Sequence, residues 1–261
     1  MHIVVCIKQV PDTTEVKINP ETNTLIREGV ESIINPFDMY AVEEALRIKE
    51  RLGEGKVTVI SMGPPQVESA LKEAISLGVD EVVLLSDRAF AGADTLATSY
   101  TLAKGINKLG KVDLIICGKQ AIDGDTAQVG PGIAVHLGLP QVAWIKKIEE
   151  IDKTKAKVLR MMDEGYDIVE TVLPAVFTVV KEINEPRMPS LKGKMRAKKV
   201  EIKVFNAEDL KLDETRIGLD GSPTQVVKIF TPSQRSGGEI FKGDPEEACC
   251  KIVENIRDII I

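Results

Sequence analysis

The residues with the most chemical capacity lie at 118–132, GKQAIDGDTAQVGPG, between the apolar run VDLIICG (112–118) and the apolar-periodic IAVHLGL (133–139). Glycines, carboxylates and small polar residues crowd a strand-to-helix junction. Gly118 ends the strand, Asp123 or Asp125 can cap the helix, and Thr126, Gln128 and Gly130 fall in its first turn. N–H groups at such a terminus point outward, and the helix dipole favours an anion such as a pyrophosphate. Gly130 and Gly132 lack a Cβ, so a ligand or a strand can approach the backbone closely. The chemistry on offer is phosphate binding, although the same residues suffice for a plain capped turn. The segment holds neither GxGxxG nor GxxxxGK followed by Ser or Thr, so neither the nicotinamide-dinucleotide fingerprint nor a P-loop is present.

The elements that must position this loop alternate along the chain. HIVVCIKQV (2–10), KVTVISM (56–62), DEVVLLS (80–86) and VDLIICG (112–118) read as buried strands. Between them helical spacing recurs at Val42, Ala45, Leu46 and Lys49 in 39–52, at Val67, Leu71, Ala74 and Ile75 in 65–77, and at Leu96, Tyr100, Ala103 and Ile106 in 94–109. Gly53, Gly78 and Gly110 supply the helix stops. The pattern implies a doubly wound, mostly parallel α/β sheet of Rossmann-like alternation. Ligands in such sheets lie beyond the carboxyl ends of the strands, which selects the loops KQVPDT (8–13), SMGPPQ (61–66) and 118–132.

Composition narrows the function. A chain of 261 residues with 43% hydrophobic content can bury a large core. It carries no basic-plus-apolar leader, and its apolar runs fall short of the ~20 residues of a membrane span, so a soluble cytoplasmic protein is expected. A net charge of −6 and 4% aromatics argue against nucleic acid as the main partner. Cys6, Cys117, Cys249 and Cys250 lack the spacing of a disulfide framework or zinc site and are read as reduced thiols. With His2 and His136 the only histidines, a metal site is not expected, and no GxSxG elbow supports hydrolysis. His136 falls near the end of the helix after the loop, where a cation suits the dipole.

From 142 the alternation breaks. QVAWIKKIEEI, AKVLRMMDE, YDIVETVL and AVFTVVKEI are strand-like, and MDEGYD joins the central pair as a hairpin with Gly165 at the turn, extending the sheet with antiparallel strands. NEPRMPSLKGKMRAKK (184–199) is a loop and short basic helix, and such charge runs commonly serve only solvation. Asp244-Pro245-Glu246-Glu247 opens a helix with Ala248, Ile252, Ile256 and Ile259 on one stripe.

The runs NPFDMYAVEEALRIKE (35–50), GKQAIDGDTAQVGP (118–131), LPAVFTVVKEINEPRMPSLKGKMRAKK (173–199) and TPSQRSGG (231–238) resemble the beta subunit of electron transfer flavoprotein, in order through nearly the whole chain. The resemblance implies an alpha-subunit partner carrying FAD and an adenine nucleotide held by this chain: AMP in most members, a second FAD in those that take electrons from NADH and bifurcate them. It places the nucleotide on Cys6, on Asn35, Pro36, Phe37 and Asp38, on Met62, and on Gly118, Lys119, Gln120, Asp123, Gly124, Asp125, Thr126, Ala127, Gln128, Val129 and Gly130. Cys6 and Met62 serve packing equally well, and Asn35 and Asp38 can equally form a turn and N-cap for helix 39–52.

One departure bears on the ligand. AMP-type members carry Asn and Thr where this chain has Ala127 and Val129, and smaller side chains leave room for a flavin diphosphate. The same swap is compatible with drift around backbone contacts. The resemblance further implies a nucleotide domain at 1–184, a partner-recognition loop at 185–199 and an arm at 200–261 packing on the alpha subunit. Leu191 falls at the docking anchor for a flavin dehydrogenase of the acyl-CoA dehydrogenase type, with Lys192, Lys194, Arg196, Lys198 and Lys199 steering encounter. Lys192-Gly193 replaces the familiar Pro-Asn. Arg160 and Glu170 are expected on the hairpin, as a cross-strand pair or as ligand or partner contacts. The expected function is electron transfer from NADH through FAD to the alpha-subunit flavin and to a low-potential acceptor such as ferredoxin. The alternatives are an AMP-holding, non-bifurcating subunit and a redox-inactive nucleotide sensor.

Overall fold

A computed structural model describes residues 1–12, 32–227, 238, 240, 241 and 243–257. The elements are β1 (His2–Cys6), β2 (Gln9–Pro11), β3 (Ser32–Ile34), α1 (Pro36–Leu52), β4 (Lys56–Met62), α2 (Glu68–Leu77), β5 (Glu81–Leu85), α3 (Thr95–Lys108), β6 (Leu114–Gly118), α4 (Val129–Leu137), β7 (Gln141–Ile151), β8 (Lys155–Met161), β9 (Tyr166–Val172), β10 (Ala175–Val179), α5 (Leu191–Ala197), β11 (Lys203–Phe205) and α6 (Pro245–Ile256). Nine strands form one sheet in the order β11-β5-β4-β1-β6-β10-β7-β8-β9. From β11 to β7 every pairing is parallel, and β8 and β9 continue it antiparallel.

The central strands are apolar on both faces because both are covered. Ile3 and Val5 of β1 meet Val42, Ala45 and Leu46 of α1 and Leu71 and Ile75 of α2, while Val4 faces Tyr100 and Ile106 of α3 and Ile133 of α4. Chain order runs outward from β1 in both directions, through β4 and β5 on one side and from β6 on the other. The topological switch point therefore lies between β1 and β6.

Three expectations change. The run 2–10 is not one strand: β1 stops at Cys6, and Gln9–Pro11 pairs antiparallel with Ser32–Ile34 in a separate two-stranded sheet. The first helix starts at Pro36 rather than 39, because proline at the first helical position tolerates the unpaired N–H. Arg160 and Glu170 do not face each other: Arg160 opposes Asp167, whereas Glu170 opposes Lys157 and pairs with Lys155 at 3.1 Å.

The hairpin turns at Gly165, with Met162 N–H donating to its carbonyl at 2.9 Å. β10 then returns through the sheet between β6 and β7. Segment 203–224 packs on the same domain, through the β11–β5 pairing, buried Leu210 and Ile217, and Ser222 Oγ accepting from Asp94 N–H at 2.8 Å. α6 buries no residue, with Ile252 and Val253 exposed, and Ile259 and most of TPSQRSGG lie outside the described residues.

Candidate functional site

The NPFD turn closes the switch point. Asn35 holds the N-cap position of α1 but caps nothing with its side chain. Its Nδ2 donates to Gln120 O at 2.8 Å, and its Oδ1 accepts from Ile122 N–H at 3.1 Å. Its own N–H donates to Lys8 O at 2.8 Å. Asp38, in the first helical turn, accepts from Lys8 N–H at 2.7 Å and Gly118 N–H at 3.2 Å. Burial pushes its carboxyl up to about 7, although the donors from Lys8, Asn35 and Gly118 pull the other way. Two side chains of one turn thus tie the loop after β1 to the loop after β6.

Pro36 is exposed and Phe37 half-buried on the same turn, and Met62 is half-buried at the end of β4. Cys6 is buried beside Cys117, its partner across the β1–β6 register. The hydrogen bond with Cys117 and burial both push the Cys6 thiol up, so it is an inert packing group.

The glycines of the loop serve close approach. At Gly118 a Cβ would meet Phe37 C at 2.6 Å and Asp38 N at 2.8 Å; at Gly130 it would meet Thr178 Cγ2 at 2.6 Å; at Gly132, Ser99 Oγ at 2.6 Å. A strand and two helices, rather than a ligand, require these three. Gly124 has open space instead.

Neither Asp123 nor Asp125 caps α4, which begins at Val129 behind Gln128 without any side-chain cap. Asp123 is drawn to Lys8 Nζ at 2.6 Å, Asp125 receives Gln120 Nε2, and Gln128 Oε1 accepts from Thr95 Oγ1 at 2.8 Å. Thr126 is exposed ahead of the helix rather than in its first turn. Asp125 and Ala127 are both left-handed at φ 54°, a region that alanine seldom enters. A left-handed Ala127 followed by a right-handed Gln128 (φ −100°) turns successive N–H groups to one side, the geometry of an anion-binding nest. Behind it the first N–H groups of α4, those of Val129 and Gly130, carry no side-chain cap.

The outer wall contains a residue that the sequence pattern did not reveal. Trp144 sits at φ 61° in β7, and Lys119 Nζ stands 4.8 Å from its ring centroid. Its strand neighbours read as ordinary β residues, and only the tertiary pairing shows the bulge. His136 lies in the last turn of α4, edge-on to Tyr100 at 5.6 Å between centroids. Burial and Arg216 push its pKa down. Among the described residues no His, Cys, Asp or Glu cluster could hold a metal, and no helix is long and apolar enough to cross a membrane.

The 185–199 segment is pinned at both ends. Arg187 forks onto Glu43 at 2.7 Å and Glu50 at 2.6 Å of α1. Arg196 caps the carboxyl end of α2, donating to Ile75 O at 3.1 Å and to Val79 O, so it is a tether as well as part of the basic run. Ser190 caps α5 by accepting from Gly193 N–H at 3.0 Å, and a Cβ at Gly193 would drive into the Ser76 carbonyl. Between these anchors Met188, Leu191 and Met195 stand 86%, 78% and 59% exposed, with Lys192, Lys194 and Lys198 exposed around them.

The model of the family "electron transfer flavoprotein domain" matches residues 22–210. The chain is 55% identical to the electron transfer flavoprotein subunit beta of Thermoanaerobacterium thermosaccharolyticum, covering 98% of both chains. It is 51% identical to the subunit of the same name from Clostridium acetobutylicum, over 99% of this chain and 98% of that one. Identity reaches 53%, again over 99% and 98%, with the caffeyl-CoA reductase-Etf complex subunit CarD of Acetobacterium woodii.

Proposed function

Because this chain belongs to the electron transfer flavoprotein family and aligns end to end with its beta subunits, we propose that it is the beta subunit of a heterodimer and binds FAD in the cleft between β1 and β6. The observation that carries the ligand assignment is the left-handed Asp125 and Ala127 ahead of an uncapped α4. The resemblance places Asn and Thr at 127 and 129 in AMP-holding members. Ala127 leaves more room than Asn and Val129 lacks the threonine hydroxyl, so the phosphate end is wider and less polar, which favours the longer diphosphate.

The chain's own contribution is to bind and orient. The Asp125 N–H is held by Ala121 O at 2.9 Å, and the N–H groups of Ala127, Gln128 and Val129 face the phosphates, while Asn35 and Asp38 fix the spacing of the two loops. The buried ends of β1 and β6 keep water from the floor of the cleft. FAD held by these residues would supply the redox chemistry, that of a hydride acceptor from NADH and a single-electron donor to the alpha-subunit FAD and to a low-potential acceptor such as ferredoxin. Met188, Leu191 and Met195 form the apolar anchor for a flavin dehydrogenase, and Lys192, Lys194 and Lys198 steer an acidic surface towards it. The similarity to a subunit of a reductase-Etf complex supports that class of partner. The exposed apolar stripe of α6 packs on the alpha subunit, and the complex works in the cytoplasm.

Replacing Ala127 by Asn together with Val129 by Thr tests the ligand assignment. The double variant should lose one of two FAD per complex and gain AMP; retention of both flavins contradicts the reading.

A further inference from the structure

Trp144 is the single tryptophan of the chain. Its left-handed backbone coincides with register breaks on both sides of β7, between Phe177 and Val179 in β10 and between Ile145 and Lys147 against β8. Bulges beside functional sites serve to re-aim a side chain, and a strained conformation persists only where its surroundings enforce it. Here the enforcing group is Thr178. Its Oγ1 accepts from Trp144 N–H at 3.1 Å, and its Cγ2 is the atom against which Gly130 packs. One threonine therefore touches both the start of α4 and the tryptophan backbone. In register, Thr178 lies beside Cys117 and Val179 beside Gly118, so the bulge is level with the root of the nucleotide loop.

The ring is spent on Lys119, whose ammonium stands 4.8 Å from its centroid. Two lysines flank the mouth of the cleft. Lys8 is neutralised by Asp123 at 2.6 Å, whereas Lys119 has no carboxylate within ion-pair distance among the described residues. An aromatic face orients a cation without cancelling its charge, and leaves it free to meet an anion.

We propose that Trp144 is a positioning residue that fixes Lys119 as the cation for the second phosphate of the bound nucleotide, so that the pair makes this site prefer a nucleoside diphosphate over a monophosphate. The proposal rests on the nucleotide site argued above and adds its selectivity. One phosphate is served by the N–H groups of the loop. A second adds charge beyond them, and Lys119 is a cation of this loop that has no carboxylate partner among the described residues.

The test is calorimetric titration of the purified complex, freed of co-purified nucleotide, with AMP and with ADP. Wild type, Lys119→Gln, Trp144→Leu and Trp144→Phe are compared. Wild type should bind ADP at least tenfold more tightly than AMP. In Lys119→Gln and Trp144→Leu the preference should collapse to within about twofold, and Trp144→Phe, which keeps an aromatic face, should restore most of it. A tryptophan that served structure alone would weaken both nucleotides together and leave their ratio unchanged, which would overturn the proposal. An unchanged ratio in Lys119→Gln overturns it as well, and that half-buried, loop-borne substitution reports even where Trp144→Leu does not fold. Failure of wild type to bind either nucleotide overturns the nucleotide site itself and this role with it.

Discussion

Gly118 and Asp38 are shaped for each other. The Asp38 carboxylate accepts from the Gly118 N–H at 3.2 Å, and α1 approaches so closely that a Cβ at 118 would lie 2.6 Å from Phe37 C. The end of β6 and the start of α1 meet backbone to backbone.

Gly118→Ala should therefore lower stability by about 3 kcal/mol, since the clash is with main chain that cannot rotate away. Urea denaturation checks this. A loss below about 0.5 kcal/mol would mean that α1 can slide at no cost.

Asp38 makes stability depend on pH in a defined direction. The carboxyl titrates at 3.8 when unperturbed and at about 7 in the fold, because burial outweighs its donors. The folded state thus holds the proton more tightly. The stability this confers is complete below about pH 4 and is lost as pH rises through 7. Asp38→Asn, which cannot ionise, should show a flatter stability profile between pH 5 and 8, a window over which the wild type loses on the order of 3 kcal/mol through this group. Parallel profiles would show that Asp38 does not titrate in this range.

Ala127 is held at φ 54°. Glycine there relieves the Cβ clash, so Ala127→Gly should raise the stability of the nucleotide-free complex by about 1 kcal/mol. Thermal unfolding measures it, and destabilisation would contradict the left-handed assignment.

Arg187 fastens the 185–199 segment to α1. Burial pushes Glu43 up, but hydrogen bonds from Arg187 and Arg47 outweigh it and hold the carboxyl below its usual range. Arg187→Met should cost about 2 kcal/mol and speed tryptic cleavage at Lys192 and Lys194 several-fold. Unchanged cleavage would place the tether at Arg196 instead.

Much of the sheet was legible because buried parallel strands write themselves as apolar runs: 56–62 and the end of β6 at Gly118 match the elements found. Sheet order was not, since β10 enters between β6 and β7 through contacts that no local period records. The loops of the candidate site were legible by position, whereas the contacts of their side chains were not. Asp123 and Asp125 have the side chains of caps, but Lys8 draws Asp123 from the loop after β1 and Gln120 takes Asp125 from within the same loop. Gly130 and Gly132 announced a close approach, and only the fold names Thr178 and Ser99 as what approaches. Trp144 carried no signal, because its backbone hand depends on Thr178, 34 residues away.

The central claim is that this cleft holds FAD, and the most direct measurement is the nucleotide content of the purified complex after denaturation, resolved by chromatography and counted per heterodimer. Two FAD with an alpha subunit present is the predicted result. One FAD with one AMP would contradict the assignment of FAD to this chain, and no flavin and no partner would contradict the electron-transfer role altogether.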